Sequence, residues 1–302
     1  MKSLKNKPKL SVVILNYNAL RYLHECFQSI CKSNLTDFIE VILVDNNSQD
    51  NSLVEIQNFG YSHPKINFKY KQNGANLGFA AGNNRGLDIS DQQSKYVLFL
   101  NPDTTVESNT FQGMINYFEK NNQIDAATCY VKLALTGKLQ PECHRGFPTP
   151  WNAFSYFFLP FLPNGYIQDK DFSKLQLIDC CVGAFLMLKR TVGDVVGWWN
   201  EKYFFYGEDL DFCYKIKKNG YHLYFIPDYT ITHYQGISSG VKQKKSKASR
   251  DTKVTVAKAS TQAMRIFYQE NLINDYPQIF RPLIFAGINL LEYYRIFKAK
   301  FL

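Results

Sequence analysis

"VLFLNPDTTV", residues 97–106, runs four apolar residues, Val97 to Leu100, straight into Asn101-Pro102-Asp103. The local chemistry is that of a turn. Proline presets φ at a turn's second position, and Asn and Asp side chains bond their own backbone. Whether Asp103 also holds a ligand depends on what kind of sheet the strand joins. In open α/β sheets, ligands bind beyond the carboxyl ends of the strands.

Upstream, Leu10–Leu15, Ile39–Val44 and Ile66–Tyr70 read as three more strands. Helical patterns lie between them. Leu20, Leu23, Phe27 and Ile30 share one helix face, with Asn18 placed to cap it. A short helix is expected after Asp45–Asp50, and another from about Ala80 to Asp88. Continuous apolar strands with helical crossovers imply a parallel sheet covered on both faces. The strand-end loops are then Asn16-Tyr17-Asn18, Asp45-Asn46-Asn47-Ser48, Asn73–Gly86 and Asn101-Pro102-Asp103. All four carry polar, mostly uncharged side chains, which suits a base, a ribose and phosphates.

Beyond about residue 125 the alternation weakens. Trp151–Leu162 is strongly apolar. Leu175–Lys189 reads as a strand with Gly183-Ala184 in its middle. Gly207–Asn219 reads as a helix stopped by Gly220. Tyr221–Ile226 and Thr230–Tyr234 read as two short strands, and Phe267–Leu302 as helical. No repeat or Pro/Ser-rich linker divides the chain.

The 302 residues are 45% hydrophobic and 16% aromatic, enough for a sizeable core and against extensive disorder. The net charge of +9 suits nucleic acid, anionic lipid or an acidic small substrate, and does not choose among them. The seven cysteines form no C-x-x-C pair, which fits buried thiols in a reducing cytoplasm. The N-terminus has no apolar core of a signal peptide, and no run of 18 apolar residues predicts a spanning helix.

Three stretches carry the chemistry. In "NGANLGFAAGNNRG", residues 73–86, Gly78, Gly82 and Gly86 stand four apart. This is neither G-x-G-x-x-G nor a P-loop, which disfavours a dinucleotide dehydrogenase and a P-loop kinase. In "FFYGEDLDFCYKIKKNGY", Asp209, Phe212, Cys213 and Ile216 fall on one helical stripe, expected to face inward, with Glu208 and Asp211 off it. A carboxylate in the first turn is favoured in its ionised form by the helix dipole, as a general base requires. In "YTITHYQGISSG", His233 ends a strand. A divalent ion held by Asp103, His233 and diphosphate oxygens is chemically sensible if the two meet.

In their order and spacing, "SVVILNYN", "VILVDNNSQDNS", "NGANLGFAAGNNRG", "LFLNPDTTV", "GAFLMLKR", the Glu208-Asp209 helix and "HYQGISSG" together resemble glycosyltransferase family 2. The resemblance covers about residues 9–240 and is strongest to its rhamnosyltransferase-like branch. It implies an α/β GT-A fold, with a mostly parallel central sheet and helices on both faces. It divides the chain into a nucleotide-binding half (about 9–125) and an acceptor-binding half (126–240), followed by a basic helical extension (241–302). It further implies inverting transfer from a nucleotide sugar, dTDP-rhamnose or a UDP-sugar, with Mg²⁺ or Mn²⁺. On this resemblance Asn16, Tyr17, Asp45, Asn47, Asn76, Gly78 and Asn83 serve the nucleotide. Asn101 and Asp103 stand at the D-x-D metal motif, His233 at the downstream metal ligand, and Asp209 at the catalytic base. Gly183, Ala184 and Glu208 fall on the acceptor side. Asn101 departs from the motif: it brings no negative charge, so metal binding rests on Asp103 and His233.

The expected acceptor is a glycan or polyprenyl-diphosphate-linked sugar. Trp151–Leu162, the five Lys and Arg of Lys242–Arg250 and the aromatic-basic C-terminus also fit a peripheral position on an anionic cytoplasmic membrane face. Three other readings are weaker. An inactive sugar-nucleotide scaffold is opposed by the intact Asp103, Asp209 and His233. A nucleic-acid binder shows no recognised motif. A nucleotidyltransferase lacks its Gly-rich basic first loop.

Overall fold

The computed structural model describes residues 7–141, 145–159, 171–234 and 249–301. Its N-terminal half alternates β1 (Leu10–Asn16), α1 (Leu20–Cys31), β2 (Ile39–Asp45), α2 (Ser52–Asn58), β3 (Ile66–Gln72), α3 (Gly78–Asp88) and β4 (Tyr96–Leu100). These strands pair in parallel in the order β3-β2-β1-β4. Every residue of β2 and β4 is buried, as expected of strands covered on both faces. Val12 and Ile14 pack with α1 and its neighbours on one face, and Val13 packs toward α3 on the other.

The second half adds β5 (Thr104–Val106), α4 (Thr110–Lys120), β6 (Ala126–Leu133), α5 (Pro150–Phe158), β7 (Gln176–Leu177), β8 (Phe185–Lys189) and α6 (Arg190–Val196). It continues with α7 (Glu208–Lys218), β9 (Leu223–His233), α8 (Arg250–Phe267) and α9 (Arg281–Phe301). The sheet extends as β4-β8-β6-β9-β5, with β7 on β9. Here it is mixed: β8 runs antiparallel to both β4 and β6, whereas β6 and β9 are parallel. The nine strands among the described residues thus form one sheet in which β8, β5 and β7 run against the other six.

Several local expectations are corrected. Leu175–Lys189 is not one strand; residues 178–184 interrupt it between β7 and β8. The two strands expected at Tyr221–Ile226 and Thr230–Tyr234 are one, β9, whose register against β6 shifts after Ile226, at Pro227-Asp228-Tyr229. Proline cannot donate to a ladder, so the pairing slips there and resumes at Thr230. The C-terminal extension is helical from Arg250, already before Phe267; α8 passes into a π-helical turn at Tyr268–Leu272, and the helix breaks between residues 273 and 277. Asn18 does not cap α1. It adopts φ 53°, Ala19 takes the cap position, and Asn18 Oδ1 instead accepts a bond from Gln49 N at 2.7 Å.

Gly82 and Gly86 explain their four-residue spacing. A Cβ on either would stand 2.5 Å from Leu15 or 2.4 Å from Val13, so both let α3 lie close on β1. Gly78 adopts φ +82°, and a Cβ there would lie 2.4 Å from the Phe204 carbonyl oxygen. Of the cysteines, Cys26, Cys129, Cys180, Cys181 and Cys213 are buried and Cys31 is half-buried, while Cys143 lies outside the described residues.

Candidate active site

Strand register brings the polar loops together. Asn16 aligns with Asp45 and Asp45 with Gln72, so β1, β2 and β3 end level, while β4 stops two residues earlier with Leu100 opposite Ile14. Between β1 and β4 the chain order reverses, which opens a crevice at their carboxyl ends. A cavity of about 270 Å³ sits there.

The loops after β1 and β2 hold one another. Asp45, almost wholly buried, accepts from Asn16 Nδ2 at 2.8 Å, Ser48 N at 2.9 Å and Ser48 Oγ at 2.5 Å. Asn16 Oδ1 is left without a hydrogen-bond partner among the described residues. Asn46 binds outward: its amide donates to Asn76 Oδ1 (3.2 Å) and the Gly78 carbonyl (3.0 Å), and Asn73 donates to its oxygen (2.8 Å). Tyr17, Asn46, Asn76 and Gly78 line the cavity. Asn16, Asp45 and Asn47 do not; they shape the loops behind it. Asn83 is also behind it, within α3, donating to the Phe79 carbonyl.

The Asn101-Pro102-Asp103 turn feeds β5, which pairs antiparallel with β9 so that Thr104 faces His233. That register, with Tyr234 N donating to the Asp103 carbonyl at 2.9 Å, sets Asp103 beside His233. Asp103 Oδ1 stands 3.2 Å from His233 Nε2, and both residues are buried. The other ring nitrogen, Nδ1, lies 2.7 Å from Gln140 Oε1. An amide oxygen only accepts, so Nδ1 carries a proton. Nε2 then either donates to the carboxylate as part of a protonated ring or, in the neutral ring, presents a lone pair that a cation shared with the carboxylate satisfies. A divalent ion of the Mg²⁺ or Mn²⁺ kind fits such a pair, because it takes few protein ligands and completes its shell with phosphate oxygens and water. Among the described residues no group of three His, Cys, Asp or Glu forms a closed protein cage.

Across the cavity, α7 starts at Gly207, which adopts φ 88°, preceded by Tyr206 at φ 72°. Tyr206, Glu208 and Asp209 line the cavity, with Gly183 and Ala184 on the wall before β8. Of the expected inward stripe, Phe212, Cys213 and Ile216 are buried, and the carboxylates are corrected. Asp209 is only half-buried, whereas Glu208 and Asp211, expected to lie off the stripe, are buried. The reason is tertiary: the C-terminal helices cover the far side of α7. Asp211 receives Asn271 Nδ2 at 2.6 Å and Tyr203 OH at 3.3 Å, and pairs with Lys215 at 3.1 Å. Asp209 Oδ1 accepts from Leu210 N at 2.8 Å, and Oδ2 faces Arg145 Nη2 at 3.4 Å. Glu208 keeps Oε2 without a partner among the described residues. Burial, followed by the charge of Asp209, pushes its carboxyl up to about 8.

Asn46, Gln140 and Arg145 were absent from the sequence-derived site. Asn46 had a signal, since it stands between Asp45 and Asn47 in a strand-end loop. Gln140 and Arg145 had none, because they reach His233 and Asp209 only through tertiary pairing.

Residues 11–196 match the model of glycosyl transferase family 2, more than half of the chain; Asp103 lies inside the match, and Asp209 and His233 lie beyond it. The chain is 25% identical over 213 residues to the low-salt glycan biosynthesis hexosyltransferase Agl10 of Haloferax volcanii, covering 69% of this chain and 62% of that one. It is 24% identical over 163 residues to the rhamnosyltransferase WbbL of Escherichia coli, covering 52% and 61%. It thus spans about three fifths of each of these relatives. Its fold is similar to that of the mannosyltransferase PcManGT from Pyrobaculum calidifontis, solved with GDP-Man and Mn²⁺. There the TM-score is 0.58 at 17% identity, over 98% of this chain and 74% of that one. With a cavity at the switch point of such a sheet, and the family's model matched over residues 11–196, the chain belongs to glycosyltransferase family 2.

Proposed function

We propose that the protein is an inverting, metal-dependent glycosyltransferase that moves a sugar from a nucleoside diphosphate to an acceptor hydroxyl. The observation that carries this reading is the meeting of Asp103, His233 and Asp209 in one cavity with the strand-end loops Tyr17, Asn46 and Asn76. Asp103 and His233 are the residues to hold the cation, with Asn101 beside them as an uncharged hydrogen-bonding group. When bound, Mn²⁺ or Mg²⁺ offsets the charge that grows on the departing diphosphate.

The chain's own residues do the rest. Asp209 Oδ1 is held by Leu210 N–H, so Oδ2 takes the acceptor's proton. As that proton leaves, the acceptor oxygen bonds to the anomeric carbon and the bond to the diphosphate oxygen breaks. The nucleoside diphosphate leaves from the opposite face, which inverts the carbon without a covalent enzyme intermediate. Arg145 positions Oδ2 before the acceptor arrives. Glu208, protonated near neutral pH, is a donor able to orient an acceptor oxygen beside Asp209. Gly183 and Ala184 present backbone rather than bulk on that wall.

For the donor we favour dTDP-rhamnose over a UDP-sugar. This rests on the motif resemblance and on the relative named a rhamnosyltransferase. The acceptor is a hydroxyl of a cell-surface glycan or its lipid-linked precursor. We place the protein in the cytoplasm, peripherally on an anionic membrane. That placement is supported by exposed Ile279, Leu283, Tyr293 and Phe301, with Lys298 and Lys300 on the same helix as the last three. No helix among the described residues is long and apolar enough to cross a membrane. Most of Lys242–Arg250 lies outside the described residues.

The test is thermal-shift screening of dTDP, UDP and GDP sugars with and without Mn²⁺. A melting temperature raised by one nucleotide sugar, more with Mn²⁺ than without, is expected. Loss of the Mn²⁺-dependent part in Asp103→Ala is expected too. No response to any nucleotide overturns the reading.

A further inference from the structure

The two segments whose apolar character the nucleotide site leaves unused come together. Pro148, Trp151 and Phe154, at and before α5, face Phe267, Ile284 and Leu291 of the C-terminal helices across a groove of about 520 Å³. The groove is larger than the polar cavity and almost wholly apolar, within the range of sites that take small molecules. Its walls are not a loose gap. The α8–α9 pair is fixed by Arg265–Glu292 at 2.6 Å, Arg265–Asn289 at 2.8 Å and Arg295–Ser260 at 2.7 Å. Asn271 ties the same C-terminal segment to α7 through Asp211.

The groove is also tied to the candidate base. Arg145 contacts Asp209, and Pro148, three residues later, is already groove wall. Three residues span at most roughly 11 Å. Phe147 packs on Tyr214 of α7 at 5.0 Å, and Tyr214 on Phe267 at 5.3 Å. The groove is thus joined to Asp209 by a short stretch of chain that carries the Arg145 guanidinium. We infer that this groove binds the hydrocarbon chain of the acceptor, an isoprenoid or acyl chain joined through phosphate to the sugar that is glycosylated. The apolar lining takes the chain, Arg145 meets the anionic linker, and the sugar hydroxyl reaches Asp209. The inference rests on the transferase reading above, and names the acceptor's chemical class.

Gly287 gives a clean test. It lines the groove, and a Cβ built on it meets nothing within 4 Å. Gly287→Leu therefore fills the groove while favouring the helix. Dodecyl phosphate, kept below its micelle concentration, is titrated against the full chain by calorimetry, with inorganic phosphate as control. Binding of dodecyl phosphate but not phosphate, weakened at least about tenfold by Gly287→Leu with no loss of melting temperature, is expected; tenfold corresponds to about two chain methylenes lost from the groove. Arg145→Gln should weaken dodecyl phosphate more than dodecanol. Wild-type protein that binds UDP with Mn²⁺ but not dodecyl phosphate overturns the groove assignment and leaves the transferase reading standing. Protein that binds no nucleotide removes the transferase reading itself. Equal binding by Gly287→Leu overturns the assignment, as does a dimer that this substitution dissociates. Phosphatidylglycerol vesicles that bind wild type and release Gly287→Leu give the groove to the bilayer instead, and overturn it as well.

Discussion

The polar cavity and the apolar groove are built by different means. The cavity's groups sit at strand ends, where parallel register fixes them: Asn101 and Asp103 after β4, His233 at the end of β9, Tyr17 after β1. The groove is walled by helices that meet only through tertiary packing. On the proposed reading, the groups for the cation and the nucleotide are carried at strand ends, where placement is tightest, and the groove is left to helices. Asp209 stands at the seam. Its helix faces the cavity with its first turn and is gripped by the C-terminal segment on its other side.

The largest effect should come from that seam. Asp209→Asn keeps the shape and loses the proton acceptor, so transfer should fall at least about 100-fold with nucleotide binding intact. Near-normal turnover, measured with saturating donor, would remove Asp209 from its role.

On the sheet side, Gln140 fixes the His233 ring through Nδ1. Gln140→Leu removes that acceptor, and Mn²⁺ affinity in the presence of UDP should drop about 10- to 100-fold, as is usual for a group behind a metal ligand. Electron paramagnetic resonance of free Mn²⁺ reads this directly. Unchanged affinity would mean that the histidine is held by the β5–β9 register alone.

The same contrast explains what could be read beforehand. Strand ends are local features: a buried apolar run followed by polar residues marks Asn16, Asp45 and Asp103 without knowledge of their neighbours. Asp103 facing His233 required the β5–β9 pairing, 130 residues apart in sequence, and only the resemblance joined them. The stripe on α7 holds for Phe212, Cys213 and Ile216 and misses at Asp209, Glu208 and Asp211, because helical periodicity assumes one buried face. Asn271 and Tyr203 bury a second one and give Asp211 polar partners there. The groove's segments were both visible as apolar, but nothing local says that they face each other.

On the helix side, Asn271→Ala should leave the buried Asp211 carboxylate one donor short. Stability should fall by at least about 1 kcal/mol in urea unfolding. If the C-terminal segment is anchored chiefly by Phe267, Tyr268 and Leu272, the loss will be smaller, and the grip on α7 is then apolar rather than polar.

The smallest expected effect at the seam is read through pH. The Glu208 carboxyl is pushed up to about 8 from a value of 4.5, first by burial and then by Asp209. Between these values the folded chain holds a proton that the unfolded chain has released. Stability must therefore fall as pH rises through that window, being fully present below about 4.5 and lost above about 8. Glu208→Gln cannot ionise, so its melting temperature should decline less than that of wild type between pH 5 and 8. Parallel melting curves for wild type and Glu208→Gln would mean that water or a neighbouring cation already solvates the Glu208 carboxylate. Glu208 would then face the cavity as a charge, and an acceptor oxygen beside Asp209 would have to be oriented by Arg145 instead.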